Sequence, residues 1–65
     1  MFVEVSDDTW LNTDFIVAIC PETDENRRKR GYTHVVEMLG DEEGYHYKVE
    51  KEYAKAFFQK LGIKR

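Results

Sequence analysis

The sequence predicts an α+β domain: an antiparallel β-meander of about five strands with one C-terminal α-helix packed on the sheet. Two observations carry that prediction. Up to Val49, short segments rich in β-branched and aromatic residues are separated by Asp, Asn and Gly clusters. From about Glu50 the apolar period changes from two residues to four. At 65 residues there is room for a single domain, spanning 1–65, near the lower size at which one core balances chain entropy. Dimerisation is one route to extra stability at this size, so a second copy of the chain stands among the candidate partners. A hydrophobic fraction of 42%, with 9 aromatic residues (4 Phe, 4 Tyr and 1 Trp), marks a folding sequence despite its 35% charged residues.

Phe2 to Ser6 alternates and is β-rich, Asp7-Asp8 supplies turn chemistry, and Thr9-Trp10-Leu11 resumes the strand, so the first 12 residues read as a tight hairpin. Asn12-Thr13-Asp14 is a second turn, because short polar side chains there bond their own backbone. The apolar run from Phe15 to Cys20 predicts a strand buried on both faces or in the middle of the sheet. Pro21 is expected to end it by removing a ladder donor. Pro21 to Arg30 then reads as a long exposed loop with nothing to bury, closed by Gly31.

Tyr32 to Leu39 is the next strand, Gly40 to Gly44 a hairpin loop, and Tyr45 to Val49 a half-exposed strand. If Leu39 faces Tyr45, then Val35, Leu39, Tyr45, Tyr47 and Val49 share the core face, and His34, Val36, Met38, His46 and Lys48 lie opposite. A slip of one residue exchanges the two faces. Beyond Glu50, Tyr53, Phe57 and Leu61 recur every four residues with Ala54 and Phe58 beside them, predicting an amphipathic helix. Gly62 is placed to end it in the left-handed region, with Phe57 and Phe58 as the plug between helix and sheet.

Cys20 is the single cysteine and cannot form an internal disulfide. Without a secretory leader or a long apolar run, the sequence predicts a reducing, cytoplasmic compartment and no membrane partner. The neighbours Val17, Ala18 and Ile19 make Cys20 a strand-end core thiol in this reading, and no nearby cation argues for a reactive one. The net charge of -3 conceals an asymmetry. Residues 1–26 hold seven carboxylates and no Lys or Arg, whereas the remainder holds all 10 basic residues against six acidic ones. Such polarity bears on partner choice and association rate.

The strongest local signal is the cationic run Arg27-Arg28-Lys29-Arg30. It fits three readings: a solvated, partly self-neutralised hairpin tip, a phosphate-contacting loop, or a docking point for an acidic protein surface. Glu22, Asp24 and Glu25 on the same loop weigh toward the first. In the nucleic-acid reading Lys48, Lys64 and Arg65 assist, and neutralising four phosphates on duplex DNA gives a salt slope of about -3.6. Tyr45 and Tyr47, with Tyr32 and Trp10, could form an exposed aromatic patch on a sheet face that one helix leaves open, or could complete the small core.

Catalysis is not predicted. Ser6, Cys20 and the histidines His34 and His46 lie in no nucleophile-and-base arrangement, and the isolated glycines form no phosphate-cradling loop. The hairpin could bring His34 and His46 to one face, yet two imidazoles leave at least two positions of a zinc site empty, and Asp41-Glu42-Glu43 lacks the alternating ligands of a calcium loop. No cofactor or metal is expected.

The segment Thr9-Trp10-Leu11-Asn12-Thr13-Asp14-Phe15-Ile16-Val17-Ala18-Ile19, with a later strand pair and terminal helix, resembles short FlbD-like and uncharacterised prophage-encoded bacterial proteins. The match is the pattern x-L-N-x-D-x-I-x-x-I over about a fifth of the chain, and the charged loop departs from it. The resemblance implies a non-catalytic accessory or interaction role of phage origin, and it carries over no site residues.

Overall fold

The computed structural model describes residues 1–40 and 46–63. Its elements are β1 (Phe2–Ser6), β2 (Thr9–Asn12), a 3-10 turn (Thr13–Phe15), β3 (Ile16–Pro21), α1 (Glu25–Lys29), β4 (Tyr32–Met38), β5 (Tyr47–Glu50) and α2 (Lys51–Leu61). Five antiparallel strands thus precede a C-terminal helix that packs on them, the α+β arrangement predicted. They divide into a hairpin, β1-β2, and a three-stranded sheet in the order β3-β4-β5. β1 lies beside β5, and α2 packs across β1, β5 and β4.

The hairpin closes through Asp7-Asp8, with Val3 opposite Leu11 and Ser6 opposite Thr9. Asp8 takes φ 63, a conformation that Asp tolerates better than most residues. The Asn12 side chain then accepts the Asp14 N–H at 3.0 Å, and Thr13 donates its backbone N–H to the Met1 carbonyl at 2.8 Å. The predicted turn is therefore a capped 3-10 turn tied back to the chain start.

Val3, Val5 and Leu11 from the hairpin, Val36 and Val49 from the larger sheet, and Phe57 and Phe58 from α2 form one buried cluster. Phe57 and Phe58 meet edge to face at 5.2 Å, and Phe58 presents a similar contact to His34 at 4.8 Å. The helix ends as predicted. Gly62 adopts φ 76, its N–H reaches the Gln59 carbonyl, and the Ile63 N–H reaches that of Phe58, which satisfies two of the helix's last carbonyls.

Four expectations need correction. β4 and β5 pair Val36 with Tyr47 and His34 with Val49, one residue out of the register that sets Leu39 against Tyr45. The slip exchanges the faces of β4, burying His34 and Val36 and leaving Leu39 68% exposed, while Tyr47 and Val49 keep the predicted side. Second, β3 is an edge strand with β4 as its one neighbour in the sheet, and Val17 on it and Phe15 in the turn before it are exposed. Third, Cys20 is exposed because it pairs with Val35 of β4 and shares its face of the sheet, the one opposite buried His34 and Val36. Fourth, Pro21 does not end the ladder, because the next residue, Glu22, still donates its N–H to the Thr33 carbonyl at 2.9 Å. The hairpin loop Gly40 to Gly44 lies, beyond Gly40, outside the described residues, as does Tyr45.

Candidate interaction surface

The stretch Pro21 to Arg30 is not a featureless loop. Asp24 caps α1, its side chain accepting the N–H groups of Asn26 at 2.8 Å and Arg27 at 3.3 Å. Lys29 Nζ sits 3.7 Å from Glu25 Oε1 at i, i+4 spacing. Gly31 follows at φ 99 and ends the turn, and its carbonyl accepts the Lys51 N–H at 2.7 Å. These are sequence-readable signals: an Asp before a Glu-Asn-Arg-Arg-Lys run, an acidic and a basic residue four apart, and a terminal glycine.

The run also buries something. The Glu22 side chain is 4% exposed, its Oε2 accepts the Asp24 N–H at 3.3 Å and lies 3.9 Å from Arg27 Nη1, and its Oε1 is buried with no hydrogen-bond partner. Of the four cations, Arg27 faces Glu22 and Lys29 faces Glu25. Among the described residues no carboxylate lies within ion-pair distance of Arg28 or Arg30. The basic segment is thus half neutralised by its own neighbours, and two guanidinium groups remain available, Arg28 on α1 and Arg30 just past its end.

At the other end of β3 the surface is apolar. Leu39 donates its N–H to the Phe15 carbonyl at 2.7 Å, which places Leu39 and Phe15 side by side. Val17, at the β-bulge between Ile16 and Ala18, is 56% exposed. Phe15, Val17 and Leu39 therefore form an exposed apolar group where β3 begins, and α1 stands where β3 ends. Six residues of strand separate the two, about 20 Å.

Of the aromatic residues expected to form a patch, Tyr45 lies outside the described residues and the other three differ in exposure. Tyr47 is half-buried against the core, Tyr32 is half-buried, and Trp10 is exposed on the separate hairpin. His34 and His46 part company as well. His34 is buried against Phe58, whereas His46 lies with its Nε2 4.0 Å from Glu37 Oε1, and Glu37 is exposed on β4. His34 and Glu37 stand three residues apart on β4, an odd separation, so the histidines occupy opposite faces. The Thr33 Oγ1 lies 3.4 Å from the Val49 carbonyl and 2.9 Å from the Nδ1 of His34, which ties the ring to β5 through Thr33. That ring edges an open groove of about 780 Å³ between β4 and α2, walled by Phe58, Ala54 and Lys55.

On the other flank of α2, the Tyr53 hydroxyl donates to Asp7 Oδ1 and ties α2 to the hairpin turn. That bond, then desolvation and the negative charges of Asp7, Glu4 and Glu50, push the phenol up to about 12. Among the described residues no group of three His, Cys, Asp or Glu side chains could hold a metal ion, and no helix is long and apolar enough to cross a membrane. No family model, curated protein or solved structure matches the chain.

Proposed function

We propose that this chain is a small, non-catalytic protein-interaction module whose contact surface runs along β3, from Phe15, Val17 and Leu39 at one end to Arg28 and Arg30 at the other. The observation that carries this reading is the exposed apolar group at the open end of an edge strand, where three large side chains sit in water in a domain short of core-forming residues. The partner it fits is a protein with a matching apolar strip and carboxylates beyond it. The resemblance of residues 9–19 to FlbD-like and prophage-encoded proteins supports an accessory role and a phage origin.

Two variants test the reading: one carrying Phe15→Ser, Val17→Ser and Leu39→Ser, the other Arg28→Glu and Arg30→Glu. Each is compared with the parent protein for partners captured from host lysate, and sedimentation of the pure protein separates a second copy from a different partner. The reading requires the apolar variant to lose the captured partner and the charge variant to weaken it. A captured set unchanged by both variants would sink it.

A nucleic-acid reading rests on the two unneutralised guanidinium groups. With Arg27 and Lys29 facing carboxylates, two phosphates rather than four are contacted, and the salt slope on duplex DNA becomes about -1.8. Fluorescence anisotropy of labelled duplex across a salt series measures that slope directly. Absence of binding at low salt removes this reading.

A further inference from the structure

Glu22 is in an unfavourable place. A buried carboxylate is tolerated when both oxygens are bonded, and here Oε1 has no partner while Oε2 holds one long hydrogen bond and one long ion pair to a half-exposed arginine. The segment that holds its Oε2, through the Asp24 N–H and the Arg27 guanidinium, offers little in return. α1 is five residues long and buries none of its own side chains, so helix propensity and packing contribute little to keeping it closed. Both ends of the segment are nonetheless held firmly, by the Glu22 N–H on the Thr33 carbonyl and by the Gly31 carbonyl on the Lys51 N–H.

We propose that residues 23–30 form a strap, clamped at both ends, that opens as a unit when the Glu22 carboxylate swings out into water. Opening breaks the bonds that close α1, from the N–H groups of Arg28, Arg30 and Gly31 to the carbonyls of Asp24, Asn26, Arg27 and Arg28. In exchange it hydrates both oxygens of Glu22, and the β-sheet beneath keeps its ladder. Opening also separates Arg27 from Glu22 and, with the helical spacing lost, Lys29 from Glu25, so that Arg27 and Lys29 join Arg28 and Arg30 as free cations. A partner that engages Arg27 therefore favours the open state by its differential affinity. That last consequence rests on the reading of α1 as a contact surface, whereas the opening itself is a property of the free protein.

Native-state hydrogen exchange on the full chain, without any partner, tests the strap. The amides of Arg28, Arg30 and Gly31 should exchange faster than those of β4, at rates that low urea does not change, the signature of a local opening. Glu22→Gln keeps the side chain's shape and replaces a buried charge by a neutral amide, whose burial costs less. It should slow exchange of the three strap amides about tenfold relative to β4. Strap amides that exchange together with β4 through a urea-sensitive global opening would overturn the proposal, as would a Glu22→Gln variant in which the ratio is unchanged or lowered. Neither outcome bears on partner binding, so failure of the strap and failure of the proposed function are read separately.

Discussion

Phe57 is the side chain on which the two sheets and the helix depend most. It is 1% exposed, meets Phe58 edge to face, and belongs to the same buried cluster as Val3, Val5, Val36 and Val49. Phe57→Ala removes the ring and leaves a cavity that neighbours from three elements cannot all collapse into, at a cost of about 3–5 kcal/mol. A 65-residue domain has about 3–10 kcal/mol in total, so the variant should be largely unfolded or close to it. Phe57→Leu, which keeps much of the apolar volume, should cost about 1–2 kcal/mol and remain folded. Phe58→Ala should fall between them, because Phe58 already walls the open groove and water can enter the space it vacates. Urea titration followed by far-ultraviolet circular dichroism is the suitable assay. Trp10 is 56% exposed and would report unfolding poorly by fluorescence. A loss below about 1 kcal/mol for Phe57→Ala would refute the assignment of this ring as the plug between sheet and helix.

Three further outcomes follow from particular contacts. The Tyr53 phenol, raised to about 12 against 10.0 in the unfolded chain, keeps its proton in the folded state while the unfolded state loses it; its contribution is whole below pH 10 and is lost as the pH rises from about 10 to 12. Absorbance titration at alkaline pH should show a late-ionising tyrosine that Asp7→Asn returns toward the ordinary range. Gly62→Ala forces a Cβ into the left-handed region and should cost about 1 kcal/mol by thermal or urea unfolding, with no change in fold. Cys20 is exposed in the folded protein, so a maleimide should label it fully without denaturant; labelling that requires unfolding would restore the buried-thiol expectation.

The local signals in the sequence are realised where a turn or a helix depends on neighbours a few residues away. Asn12 caps its turn, Gly62 ends α2, and the four-residue spacing of Tyr53, Phe57 and Leu61 places Phe57 in the core. α1 and the reach of β3 through Pro21 are local misses, with the Asp24 cap and the Glu25–Lys29 spacing present in the sequence, whereas the register and the sheet order depend on distant chain. Nothing within Tyr32 to Val49 selects between registers that differ by one residue, since Val35, Val36, Tyr47 and Val49 are all good core residues. α2 decides it, because Phe58 packs on His34 and brings that face of β4 inward. Likewise the apolar run Phe15 to Cys20 reads as a central strand, but centrality belongs to the sheet order, and β1-β2 separates from β3-β4-β5. The half-neutralised state of the cationic run needed the Glu22 and Glu25 contacts, of which the i, i+4 pair alone was legible in the spacing.

The open edge of β3 bears on how a partner engages this surface. Glu22 directs its N–H to β4, so by strand alternation the position before it, Pro21, would direct its donor to the open edge and has none to offer. At the other end the bulge between Ile16 and Ala18 breaks the regular ladder. Both are devices that discourage edge-to-edge pairing, and between them Ile19 is left as the residue that presents a complete outward donor and acceptor. Strand addition there gains about two hydrogen bonds, each worth about 0.5–1.5 kcal/mol net, against an association cost of at least about 4 kcal/mol. Backbone pairing cannot drive the contact on its own. Affinity has to come from the side chains of Phe15, Val17 and Leu39, with Arg28 and Arg30 adding orientation and rate more than strength. Since these apolar groups are already partly covered by their own fold, a contact confined to this surface is a weak and reversible one, the kind an accessory protein makes when its partner supplies the larger share of the interface.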